Sequence, residues 1–161
     1  MKQHFAIGTI LVAALAVPAV MSTSQPAAQE VSGSAAAQSL DFEFFKTRVE
    51  PIFLKKRPGH ARCYYCHSSE ENPAAFHLQK LSPGSTFWTE EQSRLNFQSA
   101  SLLVVPSEPT VSRLLIHPLA PEAGGDPVHP GGRQFASQND PDWMTLAEWV
   151  RGQKADGSSK K

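Results

Sequence analysis

From Leu40 onward the chain sets short apolar stripes between long polar connections. Phe42, Phe45, Val49, Ile52 and Phe53 recur at helical spacing and predict a first helix with one apolar face. Pro51 lies inside that stretch and should kink or restart it, because proline lacks the N–H that a helix interior needs. Phe76-His77-Leu78 reads as a short extended piece. Thr89-Glu90-Glu91-Gln92 has the form of a capping box and predicts a second long helix carrying Leu95 and Phe97. Leu102 to Val105 is an apolar run stopped by Pro106, hence a short strand or a segment crossing the core. Ser107-Glu108-Pro109 predicts the start of a short helix burying Val111, Leu114 and Leu115. The last helix is the best punctuated. Asp140 suits its N-cap, Pro141 its first position and Gly152 its stop, with Trp143, Leu146, Ala147 and Val150 as its stripe and Trp149 beside it.

The N-terminus follows another pattern. Lys2 is followed by an apolar run from Phe5 to Val20 and then by small and polar residues, so 1–29 reads as a signal peptide cleaved between Met21 and Glu30. That run is short for a spanning helix and Pro18 interrupts it, so no stable membrane insertion is expected after cleavage, with an uncleaved anchor as the alternative. The expected destination is periplasmic or secreted. Residues 30–39 are small and polar and read as a disordered lead-in, 40–153 as one domain, and 154–161 as a polar tail.

Composition narrows the class. Fifteen basic and fifteen acidic side chains cancel, so no global field favours nucleic acid or an anionic membrane. Thirteen prolines and ten glycines predict short helices and long irregular loops. The densest such loop, 119–139, contains Gly124-Gly125, His129-Pro130-Gly131-Gly132 and Arg133, and a loop of that length within a domain is usually functional or disordered. Lys55-Lys56-Arg57 forms a basic cluster, either a solvated face or a docking point for an acidic redox partner.

The candidate chemistry centres on Cys63-Tyr64-Tyr65-Cys66-His67, which holds the only two cysteines of the chain. C-x-x-C-H reads as a c-type haem attachment site. Two thiols add across the haem vinyl groups, and the adjacent imidazole falls beneath the iron as proximal ligand. A disulfide or a thioredoxin-like pair competes, but neither requires His67, and no βαβ pattern surrounds the motif. A zinc site also competes, without an H-x3–5-H pair to complete it. No Ser/His/Asp or paired-carboxylate arrangement suggests hydrolysis.

The layout resembles the planctomycete-type cytochrome c domain. The resemblance rests on Val49-Glu50-Pro51-Ile52-Phe53 before C-x-x-C-H, on Val105-Pro106 with Ser112-x-Leu114-Leu115, and on the closing Trp-containing helix. It spans about Phe42 to Gly152. It implies a mainly α fold, a small cytochrome c-like domain of short helices and long loops around one covalent haem, with electron transfer outside the cytoplasm. It also implies that the first and last helices pack together, with Phe45 or Phe53 against Trp149. Relatives commonly place Met-Pro in the loop before the last helix, where this chain has His129-Pro130.

On that resemblance the haem-binding set is Cys63, Cys66, His67, His129 and Arg133, with His67 and His129 on the iron. Met144, His117 or an open site are the alternatives for the sixth position; His77 and His60 rank lower, His60 being close to Cys63 in sequence. Arg133 and Arg62 are expected to pair with the propionates. Trp88 and Tyr64 are expected to pack on the haem or in the ordinary core. Bis-histidine ligation implies a low- to mid-potential carrier, since methionine raises the potential. The expected function is one-electron transfer to redox partner proteins, with no substrate reaction of its own. A haem subunit of a larger oxidoreductase, or a ligand-binding or peroxidase-like haem protein, are the rivals.

Overall fold

The computed structural model describes residues 39–159. The signal segment and nearly all of the lead-in lie outside these residues. The described chain is mainly helical, with only two isolated bridges, Leu119 to Phe135 and Gln153 to Ser159, in place of strands.

The first helical segment, α1, covers residues 42–54 and is not uniform. It opens as α-helix over Phe42–Phe44, widens to a π turn over Phe45–Val49 and resumes as α-helix over Glu50–Leu54. The Glu50 N–H reaches back to the Phe45 carbonyl, a five-residue span, and Pro51 then falls in the first turn of the resumed helix. A proline's missing N–H is tolerated there, so the segment restarts where the sequence placed the break. Asp41 caps the start, its carboxylate accepting the Phe44 N–H at 2.7 Å.

Four further α-helices follow among the described residues: α2 (Cys63–His67), α3 (Glu90–Ser101), α4 (Arg113–Ile116) and α5 (Pro141–Val150), with one 3-10 turn at Pro121–Ala123. The α3 capping box forms as predicted. Thr89 accepts the Gln92 N–H and the Gln92 side chain accepts the Thr89 N–H. Asp140 caps α5 by accepting the Asp142 and Trp143 N–H groups, and Gly152 stops it at φ +86°, the left-handed conformation that glycine adopts at least cost.

Helix α4 begins later than the sequence suggested. Ser112, not Ser107, stands at its N-cap, and the Ser112 hydroxyl accepts the Val105 N–H at 2.9 Å while donating to the Glu108 carbonyl at 2.8 Å. A buried serine that closes the preceding turn this way leaves Ser107–Thr110 as a turn and Val111 exposed, while Leu114 and Leu115 are buried. Leu102 to Val105 is not a strand. It runs off the end of α3, burying Val104 and exposing Leu102 and Val105.

The core joins α1, α3 and α5. Phe45 lies 5.1 Å from Trp149 between ring centres, and Phe97 lies 5.4 Å from Phe45 and 5.9 Å from Trp149. The Trp149 indole N–H donates to the Asp41 carbonyl at 3.0 Å, tying the last helix to the cap of the first. Of the two expected pairings with Trp149, Phe45 makes it; Phe53 instead packs on Phe76 at 5.2 Å.

One carboxylate is buried in this interface. Glu50 accepts from the Ser93 hydroxyl at 2.7 Å and from the Asn96 amide at 3.0 Å, while Asn96 Oδ1 accepts the Gln79 N–H at 2.7 Å. Burial pushes the Glu50 carboxyl above the ordinary carboxylate range, and the two donors pull it back only in part. A folded value above the unfolded one means that folding favours the protonated form. The stabilisation is complete below the unfolded pKa and is lost as pH rises through the folded one. Glu50→Gln, which keeps both partners satisfied, should therefore gain on the wild type as pH rises from acid to neutral in denaturant titrations. Glu50→Ala leaves Ser93 and Asn96 short of an acceptor and should cost about 2–3 kcal/mol. A Gln-to-wild-type difference that stays constant with pH would contradict the account.

Candidate functional site

Helix α2 is a single turn, and its spacing decides which side chains face inward. Positions three and four apart share a helix face. Cys63, Cys66 and His67 accordingly line one cavity, while Tyr64 and Tyr65 do not. Tyr65 is 76% exposed, and the Tyr64 hydroxyl accepts the Leu81 N–H at 3.1 Å on the other side of the helix. Tyr64 packs edge-on against Trp88 at 5.9 Å, and the Trp88 indole donates to the Gln79 carbonyl at 2.6 Å. Both aromatics thus take the core role.

The cavity has a volume of about 1020 Å³, at the upper end of the ~300–1,000 Å³ usual for small-molecule and cofactor sites. Its apolar wall includes Phe53, Leu103, Leu114, Phe135 and Leu146. Among the described residues, Arg62 and Arg113 are the only fully charged side chains lining it, and no carboxylate does so.

Two histidines face each other in it. The centres of the His67 and His129 rings are 6.5 Å apart and their planes are 15° from parallel. His67 Nδ1–H donates to the Phe76 carbonyl at 2.9 Å, and His129 Nδ1–H donates to the Gly132 carbonyl at 2.5 Å. A carbonyl only accepts, so both tautomers are fixed and each Nε2 keeps its lone pair. This is the usual support of a metal-bound imidazole, a second bond that orients the ring and raises its basicity. Burial lowers the pKa of both rings, partly countered by these carbonyl bonds, which favours the neutral imidazole at neutral pH.

The loop that carries His129 needs its glycines. A Cβ on Gly131 would come within 3.2 Å of His129 Cε1, and Gly132 sits at φ +83° with its Cβ position 2.9 Å from His60 Nδ1. The Pro-Gly-Gly run therefore lets the imidazole fold back over its own loop.

His117 also borders the cavity, its ring 4.9 Å from that of His129 at 78°. Its Nδ1 meets Asp126 Oδ2 at 2.7 Å, so a carboxylate already holds this ring. Met144 is 44% exposed and is not a lining residue, and His77 is exposed as well. Arg133 does not line the cavity; its guanidinium donates to the His117 carbonyl at 3.3 Å and to the Pro127 carbonyl. Arg113, which sequence reasoning passed over, lines the cavity in its place, as Arg62 does. The one available cue was its position one residue past the Ser112 cap, which no periodicity could turn toward a loop 50 residues earlier.

Of the basic cluster, Lys55 pairs with Asp142 at 2.8 Å, and Arg57 pairs with Asp140 at 2.9 Å and also with Asp142. Arg57 also lies 4.9 Å above the Phe135 ring. These two cations fasten the segment before α2 to the start of α5; Lys56 alone of the three is left to the surface.

The cysteines are free thiols. Burial pushes the Cys63 thiol up to about 11, opposed in part by Arg57. A redox-active C-x-x-C pair works through a lowered thiol pKa, so this environment favours an inert, protonated sulfur over exchange chemistry. Among the described residues no three His, Cys, Asp or Glu side chains converge as a site for a bare metal ion. A haem iron asks the protein for only two ligands, because the porphyrin supplies the other four. Comparison with family models, with curated proteins and with solved structures finds no match to this chain.

Proposed function

We propose that the chain is an exported monohaem cytochrome c, a one-electron carrier with bis-histidine iron. One observation carries the reading. Cys63, Cys66 and His67 stand on one wall of a large, apolar cavity, and His129 faces His67 across it with ring centres 6.5 Å apart. Two imidazoles sharing one metal ion through bonds of about 2 Å would hold their ring centres roughly 6 Å apart, close to the 6.5 Å between His67 and His129.

Cys63 and Cys66 would hold the porphyrin, His67 and His129 the iron, and the lining cations Arg62 and Arg113 would meet its anionic propionates. When bound, the haem supplies a metal that changes oxidation state by one electron. The chain's part is to fix both imidazoles, through Phe76 and Gly132, and to keep water from the iron with its apolar wall. Imidazoles oriented by such bonds would change their angle to a bound iron little between oxidation states, which suits fast transfer. Among the described residues no helix is long and apolar enough to cross a membrane. Location outside the cytoplasm rests on the N-terminal sequence.

The test is maturation of the full chain in cells that attach c-type haem, followed by ferric and ferrous absorption spectra. The expected product carries covalent haem with a low-spin, six-coordinate spectrum lacking the long-wavelength iron–sulfur band. A wild type with that band would assign Met144 to the iron. A wild type without haem would end the proposal and return the cysteines to a disulfide or metal role.

A further inference from the structure

The two arms that bear His67 and His129 are tied to each other by one buried side chain. Gln134, 6% exposed, donates from Nε2 to the Ala61 carbonyl at 2.9 Å and to the Gly131 carbonyl at 3.2 Å. Ala61 lies two residues before Cys63, and Gly131 two residues after His129. Beside this link the His60 ring leans on Gly132, so the same arms meet at a second point.

Gln134 stands on a fixed base. Its own N–H donates to the Pro118 carbonyl at 2.9 Å, and the next residue, Phe135, pairs with Leu119 and accepts the Ala120 N–H at 2.9 Å. The amide therefore joins the distal loop both to the proximal arm and to the body of the domain.

The other bonds around His129 do not perform this task. The His129 Nδ1 bond to Gly132 and the Gly132 N–H bond to the His129 carbonyl lie within the loop and would travel with it. Arg133 holds the Pro127 and His117 carbonyls, on the far side of His129 from Gly131.

We propose that Gln134 is a positioning residue, a latch that sets how readily His129 leaves the iron and so how readily a small exogenous ligand reaches the sixth position. The inference rests on the haem reading above. Opening the loop breaks the bond to Gly131 first, and Gly131, free of a side chain, lets the chain turn there.

The test is carbon monoxide binding to the reduced, haem-loaded protein, with wild type, Gln134→Leu and Gln134→Glu compared. Leucine keeps much of the volume without a donor; an ionised glutamate keeps the shape but offers only acceptors to two carbonyls. Both variants should bind carbon monoxide on the order of tenfold faster, the weight of one or two ordinary hydrogen bonds. Amide exchange at Gly132 in the haem-free chain should rise in the same two variants, a readout that needs no iron.

Lowered melting temperatures with carbon monoxide rates within about twofold of wild type would reduce Gln134 to a structural residue and overturn the latch. Failure of both variants to mature would overturn it too, by making the residue essential to the fold. A wild type that takes up no haem sinks the functional reading, whereas unchanged Gly132 exchange sinks the latch itself.

Discussion

Replacing Cys63 and Cys66 together with serine is expected to abolish covalent haem, the largest single effect available in this chain. Each attachment bond forms when an S–H adds across a vinyl group, sulfur joining one carbon and hydrogen the other, with no net oxidation. A serine hydroxyl is too weak a nucleophile for that addition. Each single variant should keep one thioether and a reduced yield of pigmented protein. The apo chain should also be less stable. Phe53, Leu103, Leu114, Phe135 and Leu146 line the cavity and would then face water. Covering one such side chain is worth roughly 1.5–3 kcal/mol, a large share of a margin of about 5–15 kcal/mol. Denaturing gels stained for haem, with intact mass, give the first result, and thermal unfolding gives the second. Pigment that stays covalently bound in the double serine variant would refute attachment through these sulfurs.

The difference between legible and illegible features here is one of range. The capping box at Thr89, the Asp140 cap and the Gly152 stop were readable because each is settled within a few residues of backbone. The single turn of α2 was not foreseen, but once it forms, three- and four-residue spacing puts Cys63, Cys66 and His67 on one face. Pairing of the first and last helices through Phe45 and Trp149 followed from the family resemblance and apolar stripes, but the choice of Phe45 over Phe53 depended on the π turn at Phe45–Val49, which rotates the stripe. The cavity-lining cation Arg113 was not readable. Arg133 and Arg113 are both arginines on short irregular segments, and only the assembled cavity separates the one bound to backbone carbonyls from the one that lines the wall. The same holds for Gln134, whose bond to Ala61 spans 73 residues, and for the Phe76 carbonyl that orients His67. A backbone oxygen carries no residue-type cue at all.

His129→Met is expected to raise the midpoint potential and to bring in the long-wavelength iron–sulfur band. A thioether donates less charge to ferric iron than a neutral imidazole does, so the oxidised state loses more than the reduced state and reduction becomes easier. Axial ligands move haem potentials over a span of about 0.8 V, and a rise on the order of 0.1 V or more is expected for this exchange. The site favours the replacement geometrically. Gly131 and Gly132 leave the loop without side chains to block a longer, unbranched residue, and the imidazole's own bond to the Gly132 carbonyl is the only one the ring loses. His129→Ala should instead leave the sixth position to water and bind carbon monoxide faster than wild type. Met144→Leu serves as the control, since Met144 is exposed and outside the cavity lining, and should change neither spectrum nor potential. Redox titration with parallel absorption spectra decides the matter. If His129→Met and wild type share one spectrum and one potential, His129 does not hold the iron. His117, whose ring stands 4.9 Å away with Nδ1 already on Asp126, then becomes the next histidine to replace.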